Sequence, residues 1–90
     1  MQKFQVMVIN EVGLHARPAA VFAQKACKFK STIKIRNVTL GNKFINAKSI
    51  IGVLSQGVEK NHWVEIEVDG EDEIQAADGL KTLIETDFRQ

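Results

Sequence analysis

"HWVEIEVDGEDEIQAADGLKTLIETDF", residues 62–88, changes its hydrophobic period half-way along. Up to Asp69 the period is two, with Val64, Ile66 and Val68 on one side and Trp63, Glu65 and Glu67 on the other. That alternation predicts a strand with one buried face. After the Asp69-Gly70 turn the spacing becomes three and four, with Ile74, Ala77, Leu80, Leu83, Ile84 and Phe88 assigned to one stripe and acids in the first turn. This predicts an amphipathic helix that tolerates Gly79 at a cost of about 1 kcal/mol.

Moving toward the N-terminus, "KSIIGVLSQG" opens on Ser49, suited to N-capping, presents Ile50, Ile51 and Leu54, and closes on Gly57. It predicts a short helix with an apolar outer face. Before it, "STIKIRN" alternates Ile33 and Ile35 with polar neighbours, "VTLGN" supplies a turn, and "KFINA" resumes an extended run, so a hairpin is expected. "ARPAAVFAQKACKF" has no alternation but carries Ala19, Phe22, Ala26 and Phe29 at helical spacing. Its Pro18 fits only the first turn, so that helix must begin near Ala16. From Lys3 to Ile9, Phe4, Val6 and Val8 alternate with Gln5, Met7 and Ile9, another strand. The order βαββαβα implies an α+β open-faced sandwich: a four-stranded antiparallel sheet with three helices on one face. A chain of 90 residues with 44% hydrophobic content suits a single domain, residues 1–90.

Several classes of function are disfavoured by composition. There is no run of eighteen apolar residues and no charged start followed by an apolar block, so a soluble, unprocessed, cytoplasmic protein without membrane insertion is expected. A single cysteine, Cys27, rules out an internal disulfide and a cysteine-rich zinc site, and no metal or cofactor is expected. Charge is polarised along the chain: residues 16–60 carry nine basic residues against Glu59 alone, whereas residues 61–90 carry nine acids against Lys81 and Arg89. A basic segment of this kind can steer an acidic partner or simply be solvated.

The chemistry concentrates in "VGLHARPAA", Val12–Ala20. His15 falls at or next to the N-cap of the first helix, where free N–H groups and the helix dipole favour an anion by roughly 0.3–1 kcal/mol and disfavour imidazolium. A neutral ring is a nucleophile, and a phosphoryl group accepted there would meet the helix N–H groups and the Arg17 fork. Gly13 permits the turn and Pro18 stiffens the first helical turn. The plainer alternative is that His15 caps the helix or fills a gap.

"GLHARPAA" resembles the active-site signature of the histidine-containing phosphocarrier (HPr) family of the bacterial phosphoenolpyruvate:sugar phosphotransferase system, and the element order is that of the HPr fold. The resemblance implies a carrier and not a free-standing enzyme. Enzyme I would phosphorylate His15 on Nδ1, Arg17 would be the phosphate partner, and the group would pass to sugar-specific IIA domains. "NAKSIIGVLSQG" further resembles the regulatory site of Gram-positive-like HPr. The implication is that Ser49 is the target of an HPr kinase/phosphorylase and, once phosphorylated, is read by catabolite control protein A. By the same resemblance Ala20, Val21, Gln24, Ile50, Ile51 and Leu54 form the partner-binding surface. The default role of Ser49 is capping, worth about 1 kcal/mol. This short helix can bury Ile50, Ile51 and Leu54 in the core, but it is expected to put one side in the core and the other outside.

Two departures from the pattern bear on serine regulation. Gln56 stands where an apolar or small residue is usual, and "RNVTLGNKF" is longer than the usual hairpin loop. Cys27 shares a helix face with Gln24 and is expected to be partly buried and inert, with a Cys27-linked dimer as the alternative. His62 is expected at a turn or strand edge, with no partner for a metal site. Two other functions compete: a regulatory module acting through phospho-Ser49 in catabolite repression or a nitrogen-branch relative, and a small RNA-binding domain. His15 argues against a purely serine-based paralogue, and "KSIIGV" favours the sugar branch. Phe4, Phe44 and Trp63 form no ribonucleoprotein motif, so no nucleic-acid partner is expected.

Overall fold

The computed structural model describes residues 1–88 of the chain, so Arg89 and Gln90, the last two residues of the expected domain, lie outside the described residues. The elements run β1 (Gln2–Met7), α1 (Ala16–Cys27), β2 (Thr32–Asn37), β3 (Ile45–Asn46), α2 (Ile50–Ser55), β4 (Trp63–Asp69) and α3 (Glu73–Glu85). The expected βαββαβα order is therefore present. The four strands form one antiparallel sheet in the order β1-β4-β2-β3. Val64, Ile66 and Val68 face Val6, Phe4 and Gln2 across one ladder, and Val68 and Ile66 face Ile33 and Ile35 across the other. The inward residues of β4 thus sit between Val6 and Phe4 of β1 and Ile33 and Ile35 of β2, beneath Phe22, Ala19 and Ala26 of α1 and Leu80, Leu83 and Ile84 of α3. Burial of these side chains, at roughly 25 cal/mol per Å² of apolar surface, is the main force holding the helices to the sheet.

Three local expectations need correction. α1 stops at Cys27, short of Phe29, because the amides of Lys28 and Phe29 bond three residues back, to Lys25 and Ala26, and tighten the last turn. Ile74 is 68% exposed, outside the buried stripe of Ala76, Leu80, Leu83 and Ile84. Two successive steps of three from Leu80 back to Ile74 rotate it by roughly 120° away from the core face. The expected "KFINA" strand is only Ile45–Asn46, because Phe44 leaves the ladder to pack over the outer sheet face. There its ring centroid lies 5.2 Å from the Arg36 guanidinium carbon and 5.9 Å from Lys3 Nζ.

Beneath Phe44, Arg36 places Nε and a terminal nitrogen each 2.8 Å from Glu65 Oε1. Burial pushes the Glu65 carboxyl up, but hydrogen bonds from Arg36 and Gln5, with the charges of Arg36 and Lys3, hold it below the usual range. Gly79 allows α3 to approach α1: an added Cβ would lie 3.3 Å from Lys25 Cε and 3.4 Å from Phe29 Cζ.

Candidate functional site

β1 ends at Met7, and the chain then crosses the end of the sheet as a loop that is pinned from both sides. Asn10 closes it locally, donating from Nδ2 to the Gly13 carbonyl at 2.6 Å while its own carbonyl accepts the Gly13 N–H at 3.1 Å. Leu14 is fully buried and donates its N–H to the Val58 carbonyl at 2.9 Å. Gly13 has φ +63°, and a Cβ there would lie 2.2 Å from the Val58 oxygen and 2.6 Å from Glu59 Cα. The segment after α2 is therefore the floor on which the histidine loop rests, and only glycine fits at that contact.

His15 occupies the N-cap of α1 with extended backbone (φ −121°, ψ 160°), is half-buried, and makes no side-chain capping bond. The capping alternative is thus not realised, and the ring is left for other chemistry. Ala16 follows at φ +50°, a left-handed conformation that costs an alanine about 1–2 kcal/mol. His15 shares a shallow depression of about 600 Å³ with Glu11, Val12, Glu59, Lys60 and His62. A Lys60–Glu11 ion pair of 2.8 Å spans its two walls, and the hydrogen bond from Lys60, followed by its charge, holds the Glu11 carboxyl below its usual range. Arg17 is exposed in the first helical turn and does not line this depression.

Further along α1, Ala20 and Val21 are half-buried and Gln24 is exposed. α2 packs against α1 and buries only Val53, leaving Ile50, Ile51 and Leu54 at 41%, 80% and 39% exposure. The expected division of this short helix between core and exterior therefore holds, with all three named residues on the exterior. Ser49 is the N-cap: its Oγ accepts the Gly52 N–H at 3.1 Å. Cys27 is exposed, contrary to the expected partial burial, because the α1 face it shares with exposed Gln24 is turned away from the buried stripe of Ala19, Phe22, Ala23 and Ala26; its thiol reaches the Lys48 carbonyl at 3.5 Å.

Gln56 is 4% exposed and points inward, so it does not alter the outer surface of α2. Its Oε1 accepts the Asn37 N–H at 2.8 Å, its Nε2 donates to the Lys43 carbonyl at 3.3 Å, and its own carbonyl accepts the Nδ2 groups of Asn37 and Asn42, both at 3.1 Å. The two sequence departures are one structural feature: a buried glutamine ties down the long 38–44 loop. Sequence reasoning missed this network, Asn10 and the place of His62 beside His15, since none of these residues carries a periodic signal.

The family model described as "PTS HPr component phosphorylation site" matches residues 2–86. The chain belongs to the HPr family. It is 41% identical over 85 residues to the phosphocarrier protein HPr of Mycoplasma pneumoniae, covering 94% of each chain. Its fold is similar to the crystal structure of HPr from Thermoanaerobacter tengcongensis, with a TM-score of 0.92, 43% identity, and 98% and 96% of the two chains covered. It is also similar to Crh, the catabolite repression protein of Bacillus subtilis, at TM-score 0.74 and 36% identity over the whole of both chains; that protein is an intertwined, swapped dimer.

As an HPr this protein is a cytoplasmic phosphocarrier of the phosphotransferase system, a phosphoryl carrier and not a catalyst, with enzyme I and IIA domains as partners. Among the described residues no helix is long and apolar enough to cross a membrane, and no group of three or more His, Cys, Asp or Glu residues is placed to hold a metal ion.

Proposed function

We propose that the phosphoryl group is carried on His15 of this single HPr domain, with Arg17 neutralising its charge. The observation that carries this reading is the N-cap histidine whose ring does no capping, set in a depression beside the start of α1. A neutral ring nitrogen, Nδ1 by the family resemblance, attacks the phosphorus held by enzyme I. The new nitrogen–phosphorus bond forms as the bond to the donor breaks, and the reverse exchange delivers the group to a IIA domain. Positioning and charge stabilisation are all the step needs from the carrier. In a reconstituted system of phosphoenolpyruvate, Mg²⁺, enzyme I and a IIA domain, His15→Ala should pass no phosphate, whereas a variant that still passes it would refute the assignment.

Docking is assigned to Ala20, Val21 and Gln24 of α1 with Ile50, Ile51 and Leu54 of α2. Support comes from the packing of the two helices against each other and the exposure of the three α2 residues. A patch of this modest size suits a carrier that must release each partner. Ser49 is the regulatory position: phosphorylation by an HPr kinase/phosphorylase would put roughly two negative charges beside that patch. The modified protein is then read by catabolite control protein A. The similarity to Crh favours this second, regulatory activity in catabolite repression, while the His15 segment favours the carrier as the principal one. The exposed Cys27 can join two copies under oxidising conditions, a reading supported by its exposure alone.

A further inference from the structure

His62 has its Nδ1 already occupied. The Glu59 amide N–H donates to it at 3.1 Å, and Asn37 Nδ2 lies 3.0 Å away. A backbone N–H can only donate, so Nδ1 is the acceptor and the proton of the neutral ring sits on Nε2. The orientation of Asn37 is fixed independently. Its Oδ1 accepts the Leu40 N–H at 3.1 Å, its Nδ2 also donates to the Gln56 carbonyl at 3.1 Å, and the residue is fully buried. Gln56 is held in turn by Asn37 and Lys43, as described above. A buried network thus locks the ring into one tautomer, as such networks do when every member is satisfied.

The locked ring is half-exposed and lines the same depression as His15. Among the described residues its Nε2–H meets no acceptor from the chain. We propose that His62 is a second phosphoryl-binding residue: its Nε2–H donates to a non-bridging oxygen of the phosphoryl group on His15, while Asn37 and Gln56 are positioning residues that hold the donating tautomer. This rests on His15 being the phosphorylated residue. Arg17, which lies outside the depression, supplies charge, and His62 supplies a directed hydrogen bond from within it.

The test is a competition between intact proteins. Equal amounts of wild type and His62→Ala are equilibrated with catalytic enzyme I and limiting phosphoenolpyruvate, and intact-mass spectrometry reads how the phosphate divides. Loss of one hydrogen bond to an anionic oxygen should bias the phosphate toward wild type by roughly ten- to a hundredfold. An even division overturns the proposal, and no phosphate on His15 of either protein overturns it together with the carrier assignment. A second readout needs no variant: long-range ¹H–¹⁵N spectra should show His62 protonated at Nε2 only, with that resonance shifting when His15 is phosphorylated. A Nδ1-protonated ring, or no shift, contradicts it.

Discussion

His15 and Arg17 lie two residues apart but face different surroundings: the ring lines a depression shared with His62 and Lys60, and the guanidinium stands outside it, exposed. In the proposed role Arg17 acts as a charge and fork that meet the phosphoryl group, and not as part of a preformed pocket. Arg17→Ala should slow phosphoryl transfer from enzyme I by about ten- to a hundredfold, the size of a charge-assisted hydrogen bond, with Arg17→Lys recovering only part. Rapid-quench kinetics would check this, and an Arg17→Ala rate equal to wild type would contradict the role. At this scale the sequence marks His15 and Arg17 as the candidates, because His, Arg and Pro at a helix start have few joint explanations. It did not expose Ala16 or His62. A left-handed alanine has no compositional mark, and the place of His62 depends on a turn that brings residue 59 under residue 13.

The elements were legible wherever a period could be read: β4 and α3 from the switch at Gly70, α1 from Pro18, and α2 from its Ser49 cap. Legibility failed where long-range packing overrode local pattern. Ile74 looks like part of the α3 stripe when residues are counted in threes, yet the stripe that meets the sheet is the one through Ala76 and Leu80. The sequence shows the 38–44 loop only as extra length, and its anchor is visible only in the inward turn of Gln56. The contact between the histidine loop and the segment after α2 is equally non-local, and it makes Gly13→Ala a test of that packing. With Val58 and Glu59 backbone in the space of the new Cβ and φ at +63°, the substitution should cost about 2 kcal/mol or more. For a domain of this size that corresponds to a drop of roughly 10 °C in Tm by thermal denaturation. An unchanged Tm would mean that the loop does not rest on that floor.

Across the whole molecule, the start of β2 is tied to the start of α3 by one carboxylate. Asp72 accepts the Ser31 hydroxyl at 2.6 Å, the Lys30 N–H at 2.8 Å and the Ser31 N–H at 2.9 Å, and these bonds hold its pKa down to about 2 from an ordinary 3.8. A depressed carboxylate contributes stability that is fully present above its unfolded value and is lost as pH falls through its folded value. Stability should therefore fall between about pH 4 and pH 2, and Asp72→Asn should flatten that part of a urea-denaturation profile taken against pH. An undiminished slope in the variant would assign the acid sensitivity elsewhere.

The carrier function also belongs to the molecule as a whole, since the sheet, the histidine loop and the helix faces must present one reactive nitrogen to two kinds of partner. Its most direct test is intact-mass spectrometry at alkaline pH after incubation with phosphoenolpyruvate, Mg²⁺ and enzyme I. The account predicts one added, acid-labile phosphate that is absent from His15→Ala. A phosphate that survives acid, or that persists in His15→Ala, would contradict it.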